Sequence, residues 1–88
     1  MKYQIGDYVI SLEQGVDGPV LIKSRIVNKN LYSKQYHLDD LWGYLIEHDE
    51  MITNAEEGVI LSEEKILGKV PKNFSREQLK NKFPEYFI

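Results

Sequence analysis

The residues that decide the fold are Ile5–Asn28, which read IGDYVISLEQGVDGPVLIKSRIVN. Two runs rich in β-branched and aromatic residues flank a turn that contains Gly18-Pro19, and this composition favours two antiparallel strands. Gly6-Asp7 suits a tight bend at the entry of the first strand, since glycine tolerates positive φ and aspartate caps turns. Pro19 lies where a strand begins and needs no ladder N–H. The segment therefore predicts a hairpin that opens a small barrel.

The second strand of this hairpin alternates between apolar and polar residues, which predicts one dry face and one wet face. Leu21 and Val27 interrupt the pattern. The two predicted faces carry Val20, Ile22, Ser24 and Ile26 on the dry side and Lys23, Arg25 and Lys29 on the wet side.

The order of these signals resembles the opening of small SH3-like barrels of the Tudor and KOW kind. Ile5-Gly6-Asp7-Tyr8-Val9 is followed after about ten residues by Gly18-Pro19-Val20 and a long alternating strand, so the resemblance covers about the first third of the chain. It implies a mainly β fold, a barrel of about five strands. It also implies binding through aromatic residues along one groove, at third-strand and fourth-strand positions.

Length and composition bound the possibilities further. A chain of 88 residues is expected to form a single domain, 1–88, with one thin core. The absence of cysteine excludes disulfides, cysteine metal sites and thiol catalysis. The lack of a signal peptide or a long apolar run favours a cytoplasmic protein with no membrane contact. Nine lysines against two arginines suggest AT-rich coding, as in a small phage or mobile-element protein.

The middle of the chain predicts further short strands at 35–38, 42–47, 51–52 and 59–61, with Asp39-Asp40 ending or bending the first of them. Ser62 is predicted to cap a short helix that Gly68 and Pro71 stop. The barrel would then span 1–61 and a helical C-terminal extension 62–88.

The last helix has the clearest local signal. Ser75 and Gln78 form a capping box, Phe74 and Leu79 occupy the staple positions, and Pro84 ends the helix. Its apolar stripe is narrow, so the helix should dock on the barrel. The first strand is apolar on both faces, with Val9 on one side. Either the helix or a second subunit must cover the outer face, and the chain is a monomer or a homodimer.

Charge is segregated along the sequence. From Asp39 to Glu64 there are nine acidic residues and no Lys or Arg, whereas from Lys65 to Lys82 there are six basic residues and one acid. One interpretation is that the basic tail folds back over the acidic segment. The other is an acidic surface for a basic partner, including a surface that imitates a phosphate backbone.

No motif indicates catalysis. G-x-S-x-G, Walker and G-x-G-x-x-G patterns are absent, and adjacent carboxylates on a strand point to opposite faces and cannot share a proton. His37, Asp39, His48 and Asp49 could converge on a metal, but their spacing matches no known site. We therefore expect no enzyme activity, no catalytic residue, no metal and no cofactor.

The expected function is a protein-interaction module, one that binds and inhibits a host protein through an aromatic and acidic surface. Aromatic anchors inside an acidic rim suit a basic protein partner. The predicted site consists of Tyr36, Trp42 and Tyr44, rimmed by Asp39, Asp40, Glu47 and Asp49. The alternatives are core roles for these aromatics, nucleic-acid binding through Lys23, Arg25, Lys29 and Lys34, and a small-molecule site enclosed by an oligomer.

Overall fold

The computed structural model describes residues 1–53 and 58–87, and in them six antiparallel strands form one curled sheet followed by a short helix. The strands are β1 (Tyr8–Gly15), β2 (Gly18–Asn30), β3 (Gln35–Leu45), β4 (Glu50–Thr53), β5 (Val59–Ser62) and β6 (Ile66–Val70). The helix is α1 (Arg76–Lys82), and 3-10 turns lie at Ile46–His48, Glu63–Lys65 and Pro84–Tyr86.

The strand order explains the curl of the sheet. The order is β4-β3-β2-β1-β6, and β5 pairs with β3 on the same edge as β4. Ser62, at the end of β5, pairs with Gln35, while Ile66, at the start of β6, pairs with Ser11. Because only the Glu63–Lys65 turn separates these two strands, the β3 edge and the β1 edge must come close together. The predicted fold class, mainly β with a C-terminal helix, is confirmed; membership of the SH3-like superfamily stays a prediction.

One long strand replaces the two that were predicted between residues 35 and 47. Asp39-Asp40 does not end the strand, because Asp40 takes a left-handed conformation (φ 53°) and the register with β2 shifts beside it. Such a bulge bends a strand without ending it. The Tyr8 hydroxyl donates to Asp40 Oδ2 at 3.1 Å and holds the bend.

The short helix predicted after Ser62 is wrong. Ser62 makes no side-chain capping hydrogen bond, and the helical turn stops after Glu63–Lys65. Residues Ile66–Val70 instead form β6, which pairs with β1. Ile66 and Val70 are buried on opposite sides of the sheet because the register between β6 and β1 shifts between them; residues four apart on a regular strand would share a face.

Both faces of the sheet carry a core, and the two cores share no buried residue. The inner cluster fills the inside of the curl and contains Val9, Ile26, Tyr36, Leu38, Leu41, Leu61 and Ile66. The outer cluster lies under the C-terminal segment and contains Tyr8, Ile10, Leu21, Tyr44, Val70, Phe74, Leu79 and Phe83. Alternation along β1 puts Val9 on the opposite face from Tyr8 and Ile10, as the sequence predicts, and the structure shows that Val9 is the inner residue.

Helix α1 covers the outer face, as expected from its sequence. Gln78 N donates to Ser75 Oγ at 3.3 Å and Ser75 N donates to Gln78 Oε1 at 2.8 Å, so the capping box is confirmed. Leu79 and Phe83 are buried against β1, β2 and β6.

The prediction that Lys23 lies on a solvent-exposed face of β2 is wrong. Leu21 and Lys23 both point under the C-terminal segment, and Lys23 is only 6% exposed. Its ammonium donates to the carbonyl oxygens of Lys72 and Phe74, the latter at 3.3 Å, and lies 5.3 Å from the centre of the Tyr8 ring. Burial lowers the pKa of this ammonium below its ordinary value.

Candidate functional site

Two of the three predicted aromatic anchors are buried and lie on opposite sides of the sheet. Tyr36 belongs to the inner cluster, where its hydroxyl donates to Glu63 Oε2 at 2.8 Å and accepts from Tyr3 N at 3.1 Å. Tyr44 belongs to the outer cluster, and its hydroxyl donates to Asp49. Neither ring is exposed to a partner, so these two residues cannot form the predicted aromatic surface.

Trp42 is half-buried and also contributes to the fold. It packs against the outer cluster, and the Lys23 ammonium lies 5.7 Å from the centre of its ring. The alternative that the aromatics fill the interior therefore describes Tyr36 and Tyr44 fully and Trp42 in part.

Three residues of the predicted acidic rim form ion pairs or hydrogen bonds within the molecule, and the fourth is exposed. Asp39 Oδ2 lies 2.8 Å from Arg25 Nη2, and the Arg25 hydrogen bond lowers the pKa of Asp39. Asp49 accepts from Arg76 and lies 3.3 Å from Lys80, and hydrogen bonding to Arg76 is the main cause of its lowered pKa. Both of these cations come from α1, so at Asp49 the basic tail does fold back on the acidic segment. Asp40 accepts a hydrogen bond from the Tyr8 hydroxyl, and Glu47 is exposed.

A cleft of about 580 Å³ lies between the Ile46–His48 turn and the C-terminal segment. Lys80 pairs with Asp49 in its wall, and Glu47 also lines it. The Lys80 ammonium also lies 5.8 Å from the centre of the Tyr44 ring and 5.9 Å from that of Phe87. These contacts attach the helix to the sheet.

The basic strand face proposed for nucleic acid is not assembled. Lys23 is buried, Arg25 is paired with Asp39, and Lys29 Nζ donates to Gln4 Oε1 at 2.9 Å. Phosphate binding needs several free cations along one surface, and of the four predicted lysines and arginines Lys34 alone has no such contact among the described residues.

An apolar groove opens on the opposite side of the sheet from α1. Strand β1 pairs with β6 only over Tyr8–Ser11, so the rest of β1 leaves the curl open toward β5. The outer part of the groove holds about 200 Å³ and the inner part about 150 Å³. The two parts share Glu13, Ile22, Leu41 and Val59, and the outer part is also lined by Val20 and Ile52.

Two carboxylates lie at this groove. Glu13 lines it, and Glu50 lies on the same face of β4 as Ile52 because residues two apart share a face. Glu47 lines the cleft beside the C-terminal segment, and its carboxyl carbon lies 3.0 Å from the position of a Cβ added at Gly18 in the β1–β2 turn. No cation pairs with Glu13, Glu47 or Glu50 within residues 1–53 and 58–87. The groove can therefore bury an apolar side chain that lies next to a positive charge.

None of the residues that line the groove was in the predicted site. A signal was present in Val20 and Ile22, which were placed on the dry face of β2. The groove itself depends on where the β1–β6 pairing stops, and no local pattern marks that point.

The four candidate metal ligands, His37, Asp39, His48 and Asp49, all lie in the described part of the chain. There, no three side chains among His, Asp and Glu cluster as metal ligands would. His37 pairs with Ile60 between strands, and His48 ends the Ile46–His48 turn.

In the described ranges, no helix has the length and apolarity needed to cross a membrane. Comparison of the chain with protein-family models, with curated proteins and with solved structures gives no match.

Proposed function

We propose that the protein is a non-enzymatic interaction module that binds an extended segment of another protein in the apolar groove. The observation that carries the proposal is the combination of an open apolar groove with Glu13 in its wall and Glu50 on the same strand face as Ile52. The matching segment has one apolar side chain next to a Lys or Arg. This keeps the basic protein partner expected from the sequence but moves the contact from the buried tyrosines to the groove.

Strand β4 supports this mode of binding. It pairs with β3 through one edge, and its other edge has no strand partner among the described residues. An edge strand of this kind offers backbone N–H and C=O groups to an added strand. Ile52 contributes a side chain that is 40% exposed at the mouth of the groove.

The expected contact is weak and reversible. Burying one aliphatic side chain contributes about 1.5 to 3 kcal/mol, and an exposed ion pair adds about 0.2 to 1 kcal/mol. Steering by Glu13 and Glu50 should raise the association rate and make it fall with added salt.

The test uses a random peptide library that is panned against the immobilised protein, with fluorescence anisotropy of the selected peptides. We expect enrichment of peptides that place an apolar residue beside Lys or Arg. Ile52→Asp should weaken their binding about tenfold or more, since one anchor residue of an interface is worth about 2 kcal/mol.

Met51→Asp is the matched control. Met51 is 42% exposed, close to the 40% of Ile52, but it lies on the other face of the same strand. It should leave binding unchanged. The proposal is refuted if panning yields no enriched motif, or if the two variants lose affinity equally.

A further inference from the structure

The turn between β2 and β3 presents two apolar side chains that take no part in the core. Leu31 is 70% exposed and Tyr32 is 102% exposed. The turn is held in shape by Asn30 Oδ1, which accepts from Tyr32 N at 3.0 Å and from Ser33 N at 3.3 Å. A preorganised turn with an exposed Leu-Tyr pair has the form of an interface anchor, because little conformational entropy remains to be lost on binding.

Two lysines flank this turn in the sequence. Lys29 and Lys34 lie on either side of Leu31-Tyr32, and no acidic residue occurs between Asn28 and Leu38. In the fold, Glu63 and Glu64 lie beside Lys34. The turn therefore has the chemistry that the groove requires, an apolar side chain next to a cation.

We infer that the Leu31-Tyr32 turn of one molecule binds in the groove of a second copy of this chain. The inference rests on the groove being the binding site proposed above. Its basis is complementarity: apolar side chains beside Lys29 and Lys34 on one surface, and an apolar groove with Glu13 and Glu50 on the other. A cavity of about 150 Å³ admits a benzene-sized group, so the outer part of the groove, about 200 Å³, accommodates one such side chain.

The contact joins different molecules because the turn and the groove lie toward opposite ends of β2. Val20 lines the groove, and Asn30 ends the strand next to the turn. Ten residues of extended chain span about 33 Å, which is close to the 36 Å longest dimension of the molecule. The contact is therefore head-to-tail, and each copy that joins leaves one free turn and one free groove, the geometry that produces chains or rings.

Two variants test the inference by complementation. The double variant Leu31→Ser with Tyr32→Ser removes the turn side chains but keeps the groove, and Ile52→Asp blocks the groove but keeps the turn. Sedimentation velocity of the wild-type protein at low salt should show species larger than a dimer that grow with concentration and dissociate when salt is added. Each variant alone should stay monomeric.

An equimolar mixture of the two variants gives the decisive readout. The mixture should form a 1:1 dimer and no larger species. The pair contains one intact turn and one intact groove, and these bind each other. Met51→Asp should assemble like the wild-type protein. Assembly that persists in both single variants, or a mixture that stays monomeric, overturns the inference.

Failure of this inference is distinguishable from failure of the proposed function. A wild-type protein that is monomeric at about 1 mM, a concentration that detects interactions near −4 kcal/mol, has no such self-contact. If selected peptides still bind it and lose affinity in Ile52→Asp, the groove is a binding site for other proteins only.

Discussion

Asp49 joins the sheet to the helix. It takes a left-handed conformation with φ 51° directly after the Ile46–His48 turn, and asparagine and aspartate tolerate this region best among residues with a side chain. Its carboxylate accepts from the Tyr44 hydroxyl and from Arg76, and it also pairs with Lys80. One side chain thus attaches the end of β3 to α1.

The pKa of Asp49 lies below its ordinary value of 3.8, chiefly because of the Arg76 hydrogen bond. A lowered pKa in the folded state means that the ionised carboxylate stabilises the fold above pH 3.8 and that this stabilisation is lost as pH falls through the lowered value. Asp49→Asn should therefore lower the melting temperature at neutral pH, and the difference from the wild-type protein should shrink in acid. Circular dichroism melts between neutral pH and about pH 2 measure this.

Asp17→Asn is the control for this experiment. Asp17 is exposed in the β1–β2 turn and forms no ion pair with the described residues, so its removal should leave the pH profile unchanged. A constant gap between Asp49→Asn and the wild-type protein down to the lowest pH would contradict the role of the ionised carboxylate.

The burial of Lys23 could not be predicted from the residues around it in the sequence. Its position in an alternating strand correctly predicts that it lies on the opposite face from Ile22. Whether that face is wet depends on Lys72 and Phe74, which come far later in the chain. Only the tertiary position of the C-terminal segment decides that this lysine is buried.

Among the elements, α1 could be predicted from the sequence and β6 could not. The signals of α1 are local, since Ser75, Gln78 and Pro84 lie within one short stretch and each acts on the helix itself. Strand β6 has only five residues, and a short apolar run fits a strand or a helix equally well. Pairing with β1, which is distant in the sequence, makes this segment a strand.

Leu79→Ala tests the contribution of α1 to the fold. Leu79 is fully buried in the outer cluster, so truncation should cost about 2 to 5 kcal/mol of unfolding free energy, the range for a buried leucine. Asn81→Ala, an exposed change in the same helix, should alter stability little. Urea denaturation measures both. Equal stability of the two variants would show that α1 is a separate arm and not part of the fold.

At the scale of the whole molecule, Tyr36 and Tyr44 share no exposed surface because the sheet is buried on both faces. Simple alternation would put these two residues on one face, since they are eight residues apart, but the bulge at Asp40 puts Tyr44 on the outer side and leaves Tyr36 inside. The sequence does not show that the C-terminal segment covers the outer face while the curl encloses the inner one. Most of the aromatic side chains in this chain of 88 residues are buried in one of the two clusters or packed against it.

The distribution of charge in the folded molecule predicts no strong binding to duplex DNA. Lys23 is buried and Arg25 is neutralised by Asp39, and the net charge is −3. A gel-shift assay at about 0.15 M salt, where exposed charges are well screened, should show no complex at micromolar protein. A complex that forms there and weakens steeply with added salt would contradict the prediction.

The pairing of β1 with β6 has a consequence for the way the protein forms in the cell. During synthesis, β1 emerges early, but its partner emerges only after β2 to β5 have been made. Contacts between residues so distant in sequence slow folding, because the entropy of closing the long loop is lost before the favourable contacts form. Until then, Tyr8–Ser11 presents an apolar strand edge to other nascent chains, an aggregation hazard. A ribosome-bound chain that stops before Ile66 should therefore need a chaperone, whereas the full chain protects that edge itself.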